Sequence, residues 1–170
     1  VANADIGGGT TNISVFDDGK LVATMCADIG GRLIRFESRT GRVTGYISGG
    51  EVTAGHCNIN LARGQSLSLP EIRQISDALA GSLVSILKGR PDALARKLAI
   101  GPLPENIQPE YLLFSGGVGR LIYDDEDCDD IKNLTRFGVL GPAPAQSVRR
   151  AMAKEAFKLF KHDETIYATV

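Results

Sequence analysis

The chain has 170 residues, a formal net charge of −1 and three cysteines, with apolar and charged residues in ordinary globular proportions. This balance provides no global positive field for nucleic acid, and no apolar run approaches the roughly 18 residues of a membrane span. Cys26, Cys57 and Cys128 are far apart in the sequence, so neither a disulfide framework nor a zinc knuckle is indicated. We therefore expect a cytoplasmic protein with reduced thiols and with neither a nucleic-acid nor a membrane partner.

The first third of the chain predicts an antiparallel β-meander. Short stretches of alternating apolar residues are separated by turn residues, and Asp18-Gly19 is a typical hairpin turn. The strands are expected at residues 1–6, 12–16 and 21–26, and a further hairpin at 32–48 with its turn at 39–42.

The apolar period then changes to that of helices. Gly49-Gly50 is interpreted as a break, and residues 51–68 show no clear pattern. Pro70 and Glu71 open a helix that ends near Gly89, and Asp92 is a typical N-cap for a second helix. The apolar residues of the first helix recur at helical spacing: Ile72, Ile75, Leu79, Leu83, Ile86 and Leu87.

The last third returns to the strand period. A short buried strand at 111–114 runs into a glycine-rich segment, followed by an acidic loop at 124–130. A helix is expected from about 145 to 160 and a final strand at 166–170. Altogether we expect an α/β layer fold with a mixed sheet, in which parallel strands join the antiparallel meander and helices flank it. The apolar stripe of the last helix is expected on Val148, Met152, Ala156, Leu159 and Phe160.

The most informative stretch is Asp5-Ile6-Gly7-Gly8-Gly9-Thr10-Thr11, where a carboxylate at a strand end precedes three glycines. Glycine permits φ > 0 and lets a phosphate approach the main-chain N–H groups, while the threonine hydroxyls add donors. A carboxylate beside phosphates is repulsive unless a cation lies between them, so Asp5 implies either Mg²⁺ held through water or the orientation of an attacking water. The alternative is a glycine-rich hairpin turn that Asp5 merely caps.

A second glycine segment, Ser115-Gly116-Gly117-Val118-Gly119, follows the later buried strand. Such a segment can lie flat against an adenosine or a phosphate. It lacks the Gly-Lys-Ser/Thr of a P-loop, and Ile122 stands where a dinucleotide-binding motif would place its third glycine. Because both glycine segments follow strands, we expect them at the same edge of one sheet.

Two other groups of possible metal ligands are weaker. The acidic loop at 124–130 lacks the glycine and the terminal glutamate of an EF-hand, so a solvated loop is the favoured interpretation. His56-Cys57 has no further ligands at zinc spacing, which favours an ordinary structural pair.

The two glycine segments together resemble the second phosphate motif and the adenosine motif of the actin/Hsp70/sugar-kinase superfamily. This resemblance implies one ribonuclease-H-like lobe of an actin-like ATPase, with ATP and Mg²⁺ as cofactors. It implies that Asp5 helps to hold metal-bound water, that the amides of the first loop hold the β- and γ-phosphates, and that Gly116 and Gly117 face the adenosine. The expected site is therefore Asp5 and Thr10 as catalytic residues, Asp5 for the metal, and Gly7, Gly8, Gly9, Thr10, Thr11, Gly116, Gly117 and Gly119 for the nucleotide.

Further stretches are similar to the EutA family of ethanolamine ammonia-lyase reactivating proteins. They are the hairpin at 16–20, Gly30-Gly31-Arg32-Leu33, and Gly101-Pro102-Leu103-Pro104 with Ile107. The resemblance implies a factor that uses ATP to release damaged cobalamin from ethanolamine ammonia-lyase, which would be its partner. The chain departs from the family at 53–68, in the acidic loop, and in lacking the first phosphate motif.

Both ends of the chain are interpreted as cut, because it starts without methionine and stops inside the apolar run 166–170. We expect residues 1–170 to be a single lobe excised from a longer protein, whose first lobe carries the missing phosphate motif, and we expect this lobe alone to be inactive. Two alternatives remain open: a sugar or acid kinase lobe of the same superfamily, and a non-hydrolysing actin-like or chaperone-like interaction module.

Overall fold

The computed structural model describes residues 1–103, 105–124 and 128–160, so the strand expected at 166–170 and the middle of the acidic loop lie outside the described residues. The strands are β1 (Ala2–Ile6), β2 (Thr11–Asp17), β3 (Lys20–Ala27), β4 (Ile34–Phe36), β5 (Val43–Tyr46), β6 (Tyr111–Ser115) and β7 (Lys158–Leu159). The helices are α1 (Ser48–His56), α2 (Leu69–Leu87), α3 (Ala93–Leu98), α4 (Gly116–Tyr123), α5 (Ile131–Leu134) and α6 (Pro142–Met152).

The main sheet has five strands in the order β3-β2-β1-β6-β7. β1, β2 and β3 pair antiparallel, whereas β1 with β6 and β6 with β7 pair parallel. The expectation of an α/β fold with a mixed sheet is therefore confirmed. Asp5 lies opposite Ser115 in the parallel pair, so the carboxyl ends of β1 and β6 meet at one edge, as the sequence predicted.

Both predicted hairpins are present. Asp18 and Gly19 have φ angles of 45° and 75°, the left-handed pair that matches the twist of the flanking strands. β4 and β5 pair antiparallel in a separate two-stranded sheet.

Helix α2 is the longest helix among the described residues, and it begins with a capping box. The Ser68 hydroxyl accepts from the Glu71 N–H, and the Glu71 carboxylate accepts from the Ser68 N–H. Each of the apolar positions predicted for this helix is buried, and they join the sheet residues in one hydrophobic core. Asp92 caps α3 by accepting from the Ala95 N–H, as expected.

The region around Gly49-Gly50 differs from its prediction, because α1 begins there and no break occurs. A methyl group at Gly50 would lie 3.0 Å from the carbonyl carbon of Leu33. The glycine therefore allows α1 to pack closely on the chain before β4. The two glycines are explained by this close packing and not by an interruption of secondary structure.

The prediction of one helix over 145–160 is wrong at both ends. α6 begins earlier, with Pro142 in its first turn, and ends at Met152. Further along, Lys158–Leu159 form β7, and the N–H of the next residue, Phe160, donates to the Leu112 carbonyl at 2.9 Å. Of the predicted stripe, Val148 and Met152 are buried, whereas Leu159 and Phe160 are exposed on β7 or next to it.

The remaining expectations concern thiols and membranes. The three cysteines are free, and burial raises the pKa of the Cys57 thiol. In the part of the chain that the structure describes, no helix has both the length and the apolar character that crossing a bilayer requires.

Candidate functional site

The two glycine segments touch each other at the edge where β1 and β6 end. Gly116 has a φ angle of +81°, and a methyl group there would lie 2.5 Å from the Ile6 carbonyl oxygen and would meet the Asp5 carboxylate. Glycine is therefore required at this position by conformation and by space. The structure thus brings the start of α4 directly against the carboxylate at the end of β1.

Asp5 is half-buried at this edge. Within residues 1–103, 105–124 and 128–160, its carboxylate accepts no hydrogen bond and pairs with no cation. A half-buried carboxylate without a partner is suited to a ligand that supplies positive charge or donors, such as hydrated Mg²⁺.

In the loop from Gly7 to Thr10, most carbonyl groups are hydrogen-bonded, whereas, among the described residues, most N–H groups are not. Its carbonyls point to a neighbouring segment, because those of Gly7 and Gly8 accept from the N–H groups of Gly31 at 3.0 Å and Arg32 at 2.6 Å. The Gly7 N–H donates to the Thr10 carbonyl at 3.0 Å, which closes the turn. In the described part of the chain, the N–H groups of Gly8, Gly9 and Thr10 have no main-chain acceptor. These three amides are therefore available to donate to an anion.

The reason for glycine in this loop differs from the expected one. None of Gly7, Gly8 and Gly9 has a positive φ. A methyl group at Gly9 would meet its nearest neighbour, Ile47 Cδ1, at 3.7 Å, which is ordinary contact. At Gly117 it would have no neighbour within 4 Å. Neither conformation nor packing requires glycine at Gly9 and Gly117, so the residues fit a ligand that approaches the backbone closely.

The two threonines of the motif occupy different environments. Thr11 is fully buried, and its hydroxyl donates to the Ile29 carbonyl at 2.7 Å. This bond anchors the loop from the core side. Thr10 is partly exposed at the end of the turn, beside the open amides.

Helix α4 is held against β6 by its own packing. A methyl group at Gly119 would lie 3.2 Å from the Phe114 carbonyl carbon, so this glycine allows the helix to approach the strand. The Tyr123 hydroxyl accepts from the Phe114 N–H at 2.8 Å, and burial raises the pKa of Tyr123. These contacts fix the position of the segment that presents Gly117.

Gly7, Gly8 and Gly117 line one cavity of about 430 Å³, and its lining residues do not include the other predicted site residues, which are Asp5, Gly9, Thr10, Thr11, Gly116 and Gly119. Gly7 and Gly8 contribute one wall, and Gly117 contributes another. The cavity also has cationic and aromatic groups that the sequence did not assign to the site, and Phe137 is 59% exposed. These added residues are Arg32, Arg120, Arg136 and Phe137, the apolar wall comes from Val118, Leu121, Val139 and Pro142, and Asp124 adds a carboxylate to the lining.

Arg136 and Phe137 belong to the chain between α5 and α6. The Arg136 guanidinium lies 4.8 Å from the centre of the Phe137 ring and donates to the Cys128 thiol sulfur at 2.9 Å. The sequence signal that could have found Phe137 is a large aromatic residue in a loop, where no core periodicity accounts for it.

The weaker metal candidates gain no support from geometry. Among the residues that the structure describes, no three side chains of His, Cys, Asp or Glu cluster as a metal site. The Cys57 thiol donates to the Gln74 carbonyl at 3.7 Å, an ordinary structural contact. Asp124 lines the cavity and Asp5 lies at the end of β1, so a metal held by either carboxylate would take its other ligands from phosphate and water oxygens, which is typical of Mg²⁺.

Comparison with known proteins gives consistent matches. The family model of the ethanolamine utilisation protein EutA matches residues 1–170. The ethanolamine ammonia-lyase reactivase EutA of Escherichia coli K12 is 37% identical over 121 residues, which is 71% of this chain and 26% of that protein. The reactivase EutA of Salmonella typhimurium LT2 is 30% identical over 171 residues, which is 100% of this chain and 35% of that protein. The chain thus spans about a quarter to a third of the length of these curated relatives.

Among solved structures, component A of the (R)-2-hydroxyglutaryl-CoA dehydratase of Acidaminococcus fermentans matches with a TM-score of 0.35 and 12% identity. The match covers 94% of this chain and 54% of that chain.

Proposed function

Because the chain belongs to the ethanolamine utilisation protein EutA family, we propose that it is the nucleotide-binding lobe of a factor that reactivates ethanolamine ammonia-lyase. In this proposal the whole protein binds ATP with Mg²⁺ and uses it to release damaged cobalamin from the lyase. The names of the two curated relatives support the reactivase role. We propose the cytoplasm as the location of the factor and of the lyase.

The observation that carries the nucleotide part of the proposal is the single cavity lined by both glycine segments. The open amides of Gly8, Gly9 and Thr10 would hold the β- and γ-phosphates, with the Gly7 turn supporting them. Thr11 would fix the loop through Ile29, and Gly119 would fix α4 on β6.

The adenosine would lie along the other wall of the cavity. Gly117 lines the cavity and offers main chain without a side chain, whereas Gly116 is buried against Asp5 and Ile6. The exposed ring of Phe137 with the apolar wall offers a surface for a base.

Asp5 would hold Mg²⁺ through water, or orient the water that attacks the γ-phosphate. Mg²⁺ would supply charge neutralisation for the phosphates when bound. The Thr10 hydroxyl, at the end of the turn, would contact the γ-phosphate. Loss of either group should slow hydrolysis more than it weakens binding, because both act on the reacting phosphate.

The sheet order supports the assignment to one ribonuclease-H-like lobe of an actin-like ATPase. An antiparallel meander joined through its first strand to parallel strands is the topology expected for such a lobe. We propose that residues 1–170 form this single lobe and that a first lobe of the whole protein supplies the other phosphate motif. Closure of two lobes on ATP can loosen cobalamin only if the reactivase binds the loosened state of the lyase better.

The proposal is tested with the full-length protein and a lyase blocked by cyanocobalamin, with free adenosylcobalamin present. Wild type with ATP and Mg²⁺ should restore lyase turnover. Asp5→Asn should lower the rate of recovery and of ATP hydrolysis by tenfold or more, as expected for loss of a group that acts in the transition state. Asp17→Asn, at an exposed carboxylate in the β2–β3 hairpin, should change neither rate.

A wild type that hydrolyses ATP while lyase turnover stays blocked would contradict the reactivase role. Phosphorylation of a sugar or acid would then favour the kinase alternative. ATP binding without hydrolysis, in the presence of the lyase, would favour the interaction module.

A further inference from the structure

Arg32 occupies a position beside the first glycine loop that its family motif does not explain. Its main-chain N–H donates to the Gly8 carbonyl at 2.6 Å. Its side chain crosses over Gly8, since a methyl group at Gly8 would lie 3.0 Å from Arg32 Cδ and 3.4 Å from Nε. The start of this side chain is thus fixed next to the open amides.

Among the described residues, no carboxylate pairs with the Arg32 guanidinium, although Asp124 lines the same cavity. The Arg32 side chain is exposed and lines the cavity that Gly7, Gly8 and Gly117 also line. Within the described ranges it forms neither an ion pair nor a side-chain hydrogen bond, whereas Arg73 pairs with Asp129 and Arg96 with Glu105.

The segment that carries Arg32 is held on both sides. The Gly31 N–H donates to the Gly7 carbonyl, and the Gly31 carbonyl accepts from the Gly141 N–H at 3.0 Å. A methyl group at Gly31 would lie 2.7 Å from Val118 Cγ2, so this residue is packed against α4. A cation on such a fixed segment is preorganised for an anion in the cavity.

We propose that the Arg32 guanidinium binds the polyphosphate of the nucleotide and makes the site select ATP over adenosine. This inference rests on the proposed nucleotide function. Guanidinium matches phosphate oxygens in charge and in its forked geometry. Asp5 adds negative charge near the phosphates, and the positive charge of Arg32 offsets it. Arg32 thus completes an anion site that the loop amides begin.

The test measures the dissociation constants of ATP, ADP and adenosine for the full-length protein with Mg²⁺. Arg32→Gln should weaken ATP binding by about ten- to a hundredfold, the range of one charged hydrogen-bonding group, and leave adenosine binding unchanged. Arg32→Lys should be intermediate, because it keeps the charge and loses the fork. The matched control is Arg63→Gln, at an exposed arginine outside the residues that line the cavity.

The unfolding midpoint of Arg32→Gln should equal that of wild type, since the main-chain bond to Gly8 remains. Wild-type affinity for ATP in Arg32→Gln, or an equal loss of ATP and adenosine, would overturn the inference while leaving the nucleotide function standing. A wild type that binds neither ATP nor adenosine would overturn the proposed function and this inference with it.

Discussion

At the residue scale, the glycines near the sheet edge differ in what a Cβ atom would meet. At Gly30 it would lie 2.5 Å from the Gly8 carbonyl oxygen and 2.7 Å from the Gly9 carbonyl carbon. At Gly117 it would meet nothing within 4 Å. Glycine at position 30 is therefore required by the fold, whereas glycine at position 117 is explained by the proposed ligand.

Alanine substitutions at these two positions should separate the two reasons. Gly117→Ala should leave the free energy of unfolding unchanged or raise it by up to about 1 kcal/mol, because alanine favours helix α4. The same change should lower ATP affinity of the full-length protein about tenfold or more, since the methyl group would occupy the space of the nucleotide. The measurements are urea unfolding and calorimetric titration.

Gly30→Ala, in contrast, should lower the free energy of unfolding. The methyl group would push the main chain of the first loop away, at a cost of about 1–3 kcal/mol in unfolding free energy, as for overpacking in a core. Unchanged stability in Gly30→Ala would mean that the loop can move aside freely. Unchanged ATP affinity in Gly117→Ala would place the nucleotide elsewhere.

Much of the candidate site could be predicted from single residues. Asp5 and the glycines after it form a local motif whose chemistry depends on adjacent positions in the chain. Arg32 and Phe137 could not be predicted in the same way, because they reach the cavity from separate segments, 24 and 129 residues after Gly8 by their numbers. The sequence indicated Arg32 only as part of the stretch Gly30-Gly31-Arg32-Leu33, which is similar to the EutA family, and assigned it no role.

At the scale of elements, α2 and α6 show when a helix can be read from sequence. The ends of α2 are marked by Ser68, Pro70 and Gly89, and its apolar residues repeat over 19 positions. The residues after Met152 keep apolar side chains at spacings that a helix could also use. Pairing with β6 decides their structure, as the Lys158 N–H donates to the Glu110 carbonyl at 2.9 Å. The spacing of apolar residues within a short segment does not predict pairing with a strand that is distant in sequence.

The capping box of α2 should give a pH-dependent contribution to stability. Hydrogen bonds from the Ser68 hydroxyl and N–H lower the pKa of Glu71. A carboxylate whose pKa is lower in the folded than in the unfolded chain stabilises the folded state fully above its unfolded pKa. This stabilisation is lost as the pH falls through the folded pKa. Glu71→Ala should cost about 0.5–1 kcal/mol at neutral pH and much less in acid.

Urea unfolding at pH 7 and at successively lower pH checks this prediction. Glu37→Ala, at an exposed glutamate between β4 and β5, is the control and should show no comparable loss. A cost of Glu71→Ala that stays constant down to strongly acid pH would show that the carboxylate charge does not act in the cap.

At the scale of the whole molecule, the proposed function assigns to this chain the amides that would hold the phosphates and a surface that would hold the adenosine. The matched 121 and 171 residues are 26% and 35% of the two curated relatives, so each of these relatives is just under three times as long as this chain. The mixed sheet and the shared edge were predictable from the order of elements, because parallel strands bring their carboxyl ends together. How a second lobe would close on this edge could not be predicted in this way, because such contacts depend on the residues of both lobes.

Residues 1–170 alone should therefore bind ATP much more weakly than the full-length protein. An open site leaves the phosphates solvated on one side, so part of the binding free energy is absent. Calorimetric titration of both proteins with ATP and Mg²⁺ makes the comparison, and adenosine serves as the reference ligand. Equal, micromolar affinity of the short chain would contradict the proposal that the site is shared between two lobes.

The glycine segments at the sheet edge are joined in series by main-chain hydrogen bonds. The Gly7 and Gly8 carbonyls accept from Gly31 and Arg32, and the Gly31 carbonyl accepts from Gly141, the residue that caps α6. α6 is in turn tied to α2, where the Ser147 hydroxyl donates to Asp77 at 2.6 Å. A shift of Gly8 must therefore stretch several short bonds or carry the start of α6 with it. We expect the loop and the start of α6 to move together, since Gly141 and Pro142 line the same cavity as Gly7 and Gly8.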